Sequence, residues 1–177
     1  MACIQKFSED INWGCASSAR GGTLGKYTEA IIINAGDINS FSGSGGSTTL
    51  NLVRGQKGSV IEVANNGIKV SVARKGGDIY QVMYDPSVIM KIARPFFSTG
   101  FGASHVFLNS SFVIALKGSN GYTIFGLGAP LACTEIEGDS TSSEFLTITF
   151  GVEEWQTGST IYGISKATYE ALKVPAV

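Results

Sequence analysis

Apolar and polar side chains alternate along much of the chain after residue 26, and a period of two predicts β-strands with one buried face. The pattern is regular in Ile68–Arg74 and in Leu146–Val152, where Thr147 and Thr149 separate the apolar positions. The β-branched run Tyr27–Asn34 also predicts a strand. Roughly eight to ten such strands follow one another about every ten residues, which is typical of an antiparallel β-sandwich or barrel.

Glycine-containing turns separate these strands and predict β-hairpins. Turn signals stand at Gly55–Gly58, Asn65–Gly67, Lys75–Asp78 and Gly118–Gly121. Asn-Gly is the strongest of them, because both central residues of a type I′ turn need a positive φ. We therefore expect hairpins in succession between residues 50 and 84, and a further hairpin across Gly118–Gly121.

Three segments have a less regular pattern. Ser40–Thr49 is a low-complexity Gly/Ser stretch, which we interpret as a mobile loop or a hairpin tip. Asp85-Pro86 is expected to break a strand, and the following Ser87–Arg94 fits a helix face as well as a strand. Val106–Lys117 predicts one long strand, or two short ones with a bulge or turn at Asn109–Ser111.

The two ends of the chain differ from its middle. Residues 1–26 show no clean period, and we interpret them as an extended N-terminal arm or loop that precedes a single β domain, residues 27–177. Near the C-terminus, Ser165 can cap a helix, Glu170 falls within it and Pro175 ends it. The predicted fold is therefore mainly β, with one short C-terminal helix.

The chain is weakly charged and rich in glycine. Its 177 residues include 23 glycines, and 15% are charged, against a usual share of about 25%. So few charges do little to keep copies apart, and we expect the protein to oligomerise or to hide more surface than one domain covers. Its net charge of −1 argues against a dedicated nucleic-acid binder and against electrostatic attachment to a membrane.

The sequence pattern predicts neither a transmembrane helix nor a signal peptide. No run approaches the roughly 20 apolar residues of a transmembrane helix, and Met1–Asp10 has no apolar core of a signal peptide. We therefore expect a cytosolic protein in which Cys3, Cys15 and Cys133 are reduced thiols, with a Cys3–Cys15 disulfide as the alternative.

Candidate catalytic residues are few. His105 is the only histidine, and beside Ser104 or Cys133 it would form a nucleophilic dyad, as in a small hydrolase. The alternative is a polar residue at a strand end. Gly43–Gly46 lacks the Lys-Ser/Thr ending of a phosphate-binding loop. We expect no catalytic residue, no cofactor and no enzyme.

Charged and aromatic residues suggest three binding surfaces. Glu135, Glu137 and Asp139 alternate along one extended face near Glu144 and form either a calcium site or an exposed strand edge; we expect no metal site. Four basic residues at predicted hairpin ends form either an interface patch or solvated turns: Arg54, Lys57, Arg74 and Lys75. Four aromatic residues are candidate contacts of a carbohydrate- or ligand-binding β-sandwich: Trp13, Phe101, Tyr122 and Trp155.

Five stretches carry a likeness to a known family: Met1–Ile4, Ala30–Ile38, Phe125–Leu131, Ile148–Phe150 and Ala167–Leu172. They resemble small virion proteins of tailed phages that infect Bacteroidetes bacteria, some of which are similar to tail tube proteins. The likeness spans most of the chain and rests on general pattern. It implies a non-enzymatic virion structural protein, assembled in the host bacterial cytoplasm and in contact with other virion proteins.

A tail tube subunit is typically a β-sandwich or barrel with one flanking helix, and it forms rings whose strands line a channel. A long hairpin and an N-terminal arm hold the next ring. The resemblance implies that hairpin in Asn39–Leu50 or Asp78–Tyr84, and the arm in residues 1–26. Tube lumens are strongly acidic so that DNA slides, whereas this chain is nearly neutral. A homo-oligomer in the form of a ring, tube or shell is thus expected, with capsid decoration or head–tail connector roles open, at most passive contact with DNA and no membrane partner.

Overall fold

The structure is a computed structural model that describes residues 27–44, 47–63, 67–75, 83–93, 107–119, 121–138, 145–152 and 160–176. The described strands are β1 (Tyr27–Asn34), β2 (Ile38–Ser44), β3 (Ser47–Leu52), β4 (Ser59–Glu62), β5 (Ile68–Lys75), β6 (Met83–Ala93), β7 (Ser111–Gly118), β8 (Gly121–Leu127), β9 (Leu131–Gly138), β10 (Phe145–Gly151) and β11 (Thr160–Ile164). A 3₁₀ turn, Ala35–Asp37, joins β1 to β2, and the helix α1 is Lys166–Ala171.

All these strands belong to one sheet, and the described pairings do not close it into a barrel. β1 and β7 lie side by side and antiparallel. Beyond β7 the sheet continues in two branches, one through β8, β11, β3 and β2, and one through β9, β10, β6 and β5; β4 pairs with β1. The predicted mainly β fold with a short C-terminal helix is confirmed, and of the two predicted architectures it is compatible with the sandwich.

β1 and β7 are buried on both faces, and they divide the interior into two cores. Ala30 and Ile32 point into the first core, and Ile31 and Ile33 point into the second. The side chains of β7 alternate between the same two cores along residues 112–116. The first core is completed mainly by β6, β9 and β10, and the second by β3, β8, β11 and α1. The two cores therefore lie on opposite faces of this central pair.

The two branches separate at a corner that requires glycine. β8 pairs with residues 114–118 of β7, and β9 takes over the same edge of β7 at residues 111–112. Gly126 has φ of +91° and Gly128 has φ of +85° between these ladders, a region that residues with a Cβ rarely adopt. A Cβ on Gly126 would also lie 2.9 Å from the carbonyl oxygen of Phe112. The backbone can thus turn close against β7.

Two of the predicted hairpins are wrong. β3 does not pair with β4 across Gly55–Gly58, and β4 does not pair with β5 across the turn predicted at Asn65–Gly67. Instead β4 pairs with β1, and β5 pairs with β6. The reason is burial, because pairing with β1 places Ile61 in the first core beside Ala30. The predicted hairpin of β7 with β8 is confirmed. β5 also pairs with the next described strand, but through residues 83–90 and not within residues 79–84 as predicted; residues 76–82 lie outside the described part.

Asp85-Pro86 does not break its strand, contrary to expectation. β6 runs through both residues, and Pro86 lies opposite Val72 of β5. On the β10 side of β6, the described pairing ends at Val88. Pro86 lies beyond it, so the missing N–H of Pro86 removes no described hydrogen bond to β10. Ser87–Ala93, which fitted a helix or a strand, is a strand.

Two other ambiguous segments and the helix are now defined. The Gly/Ser stretch does belong to a hairpin, but its described residues lie in the paired strands β2 and β3 and not in a loop or tip; Gly45 and Gly46 lie outside the described residues. Phe107 and Leu108 are helical rather than extended, and β7 begins at Ser111 after a turn; Phe107 packs at 5.8 Å from the ring of Phe112 in the first core. The predicted cap is confirmed, since Ser165 Oγ accepts a hydrogen bond from the Thr168 N–H at 3.0 Å.

We expect Gly58→Ala to lower the free energy of unfolding by about 1–3 kcal/mol, because it overpacks the second core. A Cβ on Gly58 would overlap Ile31 Cγ2 and lie 3.1 Å from Ile33 Cγ1. Urea denaturation measures the change. The matched control is Gly36→Ala, whose Cβ would meet nothing within 4 Å, and equal midpoints for the two variants would contradict the close packing at Gly58.

Candidate functional site: the β2–β3 hairpin

The β2–β3 hairpin presents the least charged edge of the sheet. No residue from Ile38 to Leu52 carries a charge. Its register runs from Ile38 opposite Leu52 to Ser44 opposite Ser47, with a bulge between Ile38 and Ser40. β3 joins the hairpin to the sheet through β11, so β2 is the last strand of its branch.

One face of the hairpin is polar and exposed. Asn51 Nδ2 donates to Ser40 Oγ at 3.3 Å. Thr49 Oγ1 lies 3.4 Å from Ser42 Oγ and donates to the carbonyl oxygen of Ser42 at 3.3 Å. These exposed contacts supplement the backbone ladder between the two strands with side chains that are neutral at any ordinary pH.

The opposite face is apolar and only partly covered. Phe41 lies opposite Leu50, which is buried in the second core. Phe41 itself is 43% exposed, and its ring lies 6.4 Å from the ring of Tyr162. The sequence analysis did not single out Phe41. The available signal was one large apolar side chain within an uncharged Gly/Ser stretch.

An open cleft of about 440 Å³ adjoins Phe41. Ile38 and Phe41 line it from β2, and Val113, Leu127 and Pro130 line it from β7 and the glycine corner. Its polar lining comes from Asn39 and Ser40, and none of its lining residues is charged. The cleft therefore suits an uncharged, largely apolar group.

Three strands have an edge without a partner among the described residues, and the three edges differ in chemistry. β5 carries Lys69, Arg74 and Lys75, and β4 is only four residues long. Lysine and shortness are the usual protections of a sheet edge against unwanted pairing. β2 has seven residues, no charge and no proline. Its bulge is the only such protection, so β2 is the edge best suited to accept another strand.

A second polar cluster fixes α1 to the start of β1. The hydroxyl of the fully buried Tyr169 donates to Glu29 Oε1 at 3.1 Å. Lys173 Nζ lies 2.7 Å from the same oxygen and 3.1 Å from Glu170 Oε2, and 5.1 Å from the centre of the Tyr169 ring. Each polar group has a partner of suitable charge, which makes this cluster a structural clamp.

The cysteine considered as a nucleophile lies in the first core. Cys133 is buried on β9, and its thiol donates to the carbonyl oxygen of Glu135 at 3.7 Å. Burial raises the pKa of the Cys133 thiol to about 11 and outweighs a smaller lowering by the backbone at Glu135. A nucleophilic thiol needs the opposite shift. Ser104, His105, Cys3 and Cys15 lie outside the described residues.

The predicted charged surfaces are only partly described. Glu135 and Glu137 are exposed on β9 as expected, whereas Asp139 and Glu144 lie outside the described residues. Within the described part, no group of three or more His, Cys, Asp or Glu residues is placed to hold a metal. Arg54 and Lys57 lie in the turn that contacts the C-terminus through the bond from the Gly55 N–H to the Ala176 carbonyl, at 2.8 Å. The side chains of Arg74 and Lys75 are not described.

Of the four candidate sugar-binding aromatics, only Tyr122 is described. It is half-buried, and its ring lies 4.8 Å from the ring of Tyr169. Tyr122 thus contributes to the contact between α1 and the sheet. Trp13, Phe101 and Trp155 lie outside the described residues.

Comparison with known proteins yields no relative: no family model, no curated protein and no solved structure matches this chain. No helix in the described part is long and apolar enough to cross a membrane.

The clamp predicts a specific loss of stability at high pH. Burial, and then the negative charge of Glu29, raise the pKa of Tyr169 above its ordinary value. The stabilisation is therefore complete below a pH of about 10 and declines above it, because the unfolded tyrosine ionises while the folded one does not. When the pH is raised from 8 to 11, the free energy of unfolding of the parent protein should fall by about 1.4 kcal/mol more than that of Tyr169→Phe. Urea titrations at both pH values measure this difference, and an identical pH dependence in the two proteins would contradict it.

Proposed function

We propose that this protein is a non-enzymatic structural subunit that assembles with copies of itself. The observation that carries the proposal is the outer edge of β2, which is uncharged and has no partner among the described strands, with Phe41 exposed beside it. An unprotected edge adds strands from other chains readily, which is a liability for a free monomer and a means of joining for a subunit. The low overall charge of the chain supports the same proposal.

The chemistry of the described residues supports a structural role over catalysis. The thiol of Cys133 is buried, with a raised pKa. The most elaborate cluster of charged and polar side chains, around Tyr169 and Glu29, is internally satisfied and holds α1 in place. A hydrolase that uses His105 and a carbohydrate-binding module gain no support from a described contact, since Tyr122 packs within the fold.

The resemblance to virion proteins of tailed phages suggests the setting of this assembly. We propose a tail tube or tail-associated position first, with capsid decoration and the head–tail connector as alternatives. Of the two segments considered for a long hairpin, Asn39–Leu50 forms one from β2 and β3. Asp78–Tyr84 lies mostly outside the described residues.

The proposal predicts that purified protein associates as its concentration rises. Light scattering should give masses above that of the 18.6 kDa monomer, and negative-stain microscopy should show rings, tubes or shells. Phe41→Lys/Ser42→Lys should lower the associated fraction strongly, because it places charges on both faces of β2. Phe41 and Ser42 are both exposed, so the fold should tolerate the change.

The control is Val72→Lys on β5, which is 45% exposed and lies on an edge that already carries basic residues. It should associate like the parent protein. A parent protein that stays monomeric up to its solubility limit would contradict self-assembly. Equal association of all three proteins would contradict the role of β2.

A further inference from the structure

We propose that β2 pairs with β2 of a second copy, antiparallel and about a two-fold axis at Phe41. This inference rests on the proposed function, and it names the partner of the edge and the register of the contact. Phe41 would lie opposite the second copy's Phe41, and Ser40 opposite the second copy's Ser42.

The charge pattern of the three edges favours this partner. In a two-fold contact, the residues near the axis meet their own copies, so that any charge there meets a like charge. β2 is uncharged along all seven residues. Among the described strands, β5 is the only other long edge. A contact of β5 with itself would bring Lys69, Arg74 and Lys75 of both copies together. β2 is therefore the described edge that can pair with itself without repulsion.

The side chains of β2 can also form favourable cross-strand pairs with those of a second β2. Phe41 is partly exposed and already lies beside Tyr162, and a second Phe41 would add a cross-strand aromatic pair on that face. It would also cover the mouth of the neutral cleft that Phe41 lines. On the other face, the exposed hydroxyls of Ser40 and Ser42 would form hydrogen-bonding pairs.

The register is defined by the regular part of the strand. The bulge separates Ile38 from Ser40, whereas Ser40–Ser44 pairs without interruption with β3. A two-fold axis at Phe41 keeps the central pairs within Ser40–Ser42, clear of the bulge. An axis closer to Ile38 would place the irregular backbone at the centre of the contact.

The size of the contact limits its strength. Two seven-residue strands bury far less than the roughly 1,200 Å² of a stable interface, so the contact alone is weak and populated at high concentration. A two-fold pair is complete with two copies, and a ring or tube therefore needs a further, heterologous surface.

The test is the formation of a disulfide between single cysteines introduced into two copies. The background variant Cys3→Ser/Cys15→Ser keeps only the buried Cys133. Phe41→Cys should form a disulfide-linked dimer under mild oxidation, because residues directly opposite have Cβ atoms about 5 Å apart. The control Leu108→Cys places a thiol at a side chain that is 53% exposed and belongs to the segment before β7, not to the β2–β3 hairpin. It should give about tenfold less dimer, since diffusive collisions alone would link it.

The register has its own test. Ser40→Cys and Ser42→Cys should each give little dimer alone, because each residue lies diagonal to its own copy at about 7–8 Å. A mixture of the two variants should give the heterodimer, because Ser40 lies opposite the second copy's Ser42. Efficient linkage of Ser42→Cys to itself would overturn the proposed register.

The outcomes separate this inference from the proposed function. If the protein assembles but Phe41→Cys links no better than Leu108→Cys, the two-fold pairing is wrong while self-assembly stands. That result is also expected if another segment of this chain or a different protein covers β2. If the protein stays monomeric and no variant links, both proposals fail.

Discussion

The structure depends on one constraint, which is that the central residues of β1 and β7 are buried on both faces of the sheet. Residues 30–33 of β1 and 112–116 of β7 are at most 1% exposed, on both faces. A sheet strand buried on both faces requires cover on two sides, and the two cores supply it. The clamp of Tyr169 and Glu29 acts in the same way, since it holds α1 over the second core.

The glycine corner determines where the sheet ends. Gly126 turns the chain so that β8 and β9 use successive parts of one edge of β7. The sheet therefore divides into two branches, and it ends in β2 on one branch and in β5 on the other. The same turn shapes one wall of the cleft beside Phe41. The close packing of Gly126 against β7 thus also affects the β2 edge, where the proposed assembly contact would form.

Local patterns predicted the elements better than their partners. A strand at Tyr27–Asn34 follows from its β-branched residues, and the capped helix follows from Ser165 and Pro175, because both depend on neighbours in sequence. The pairing of β4 with β1 depends on which hydrophobic edge buries Ile61, and a turn signal such as Asn65–Gly67 does not contain that information. Only one part of the candidate surface, the hairpin, was predicted from the sequence. Its hairpin was among the alternatives, but the exposure of Phe41 depends on how far α1 and β11 cover the second core.

The lack of charge on β2 is not required by the fold. Ser40 and Ser42 are exposed on the polar face of the hairpin, and substitutions at exposed positions usually change stability by no more than about 0.5 kcal/mol. A lysine at either position would protect the edge at little cost in folding, as Lys69 does on β5. The absence of any charge from this edge agrees with the proposed strand pairing, which requires an accessible backbone. In the proposed assembly, the hairpin provides the contact between copies, whereas the central strands stabilise the fold.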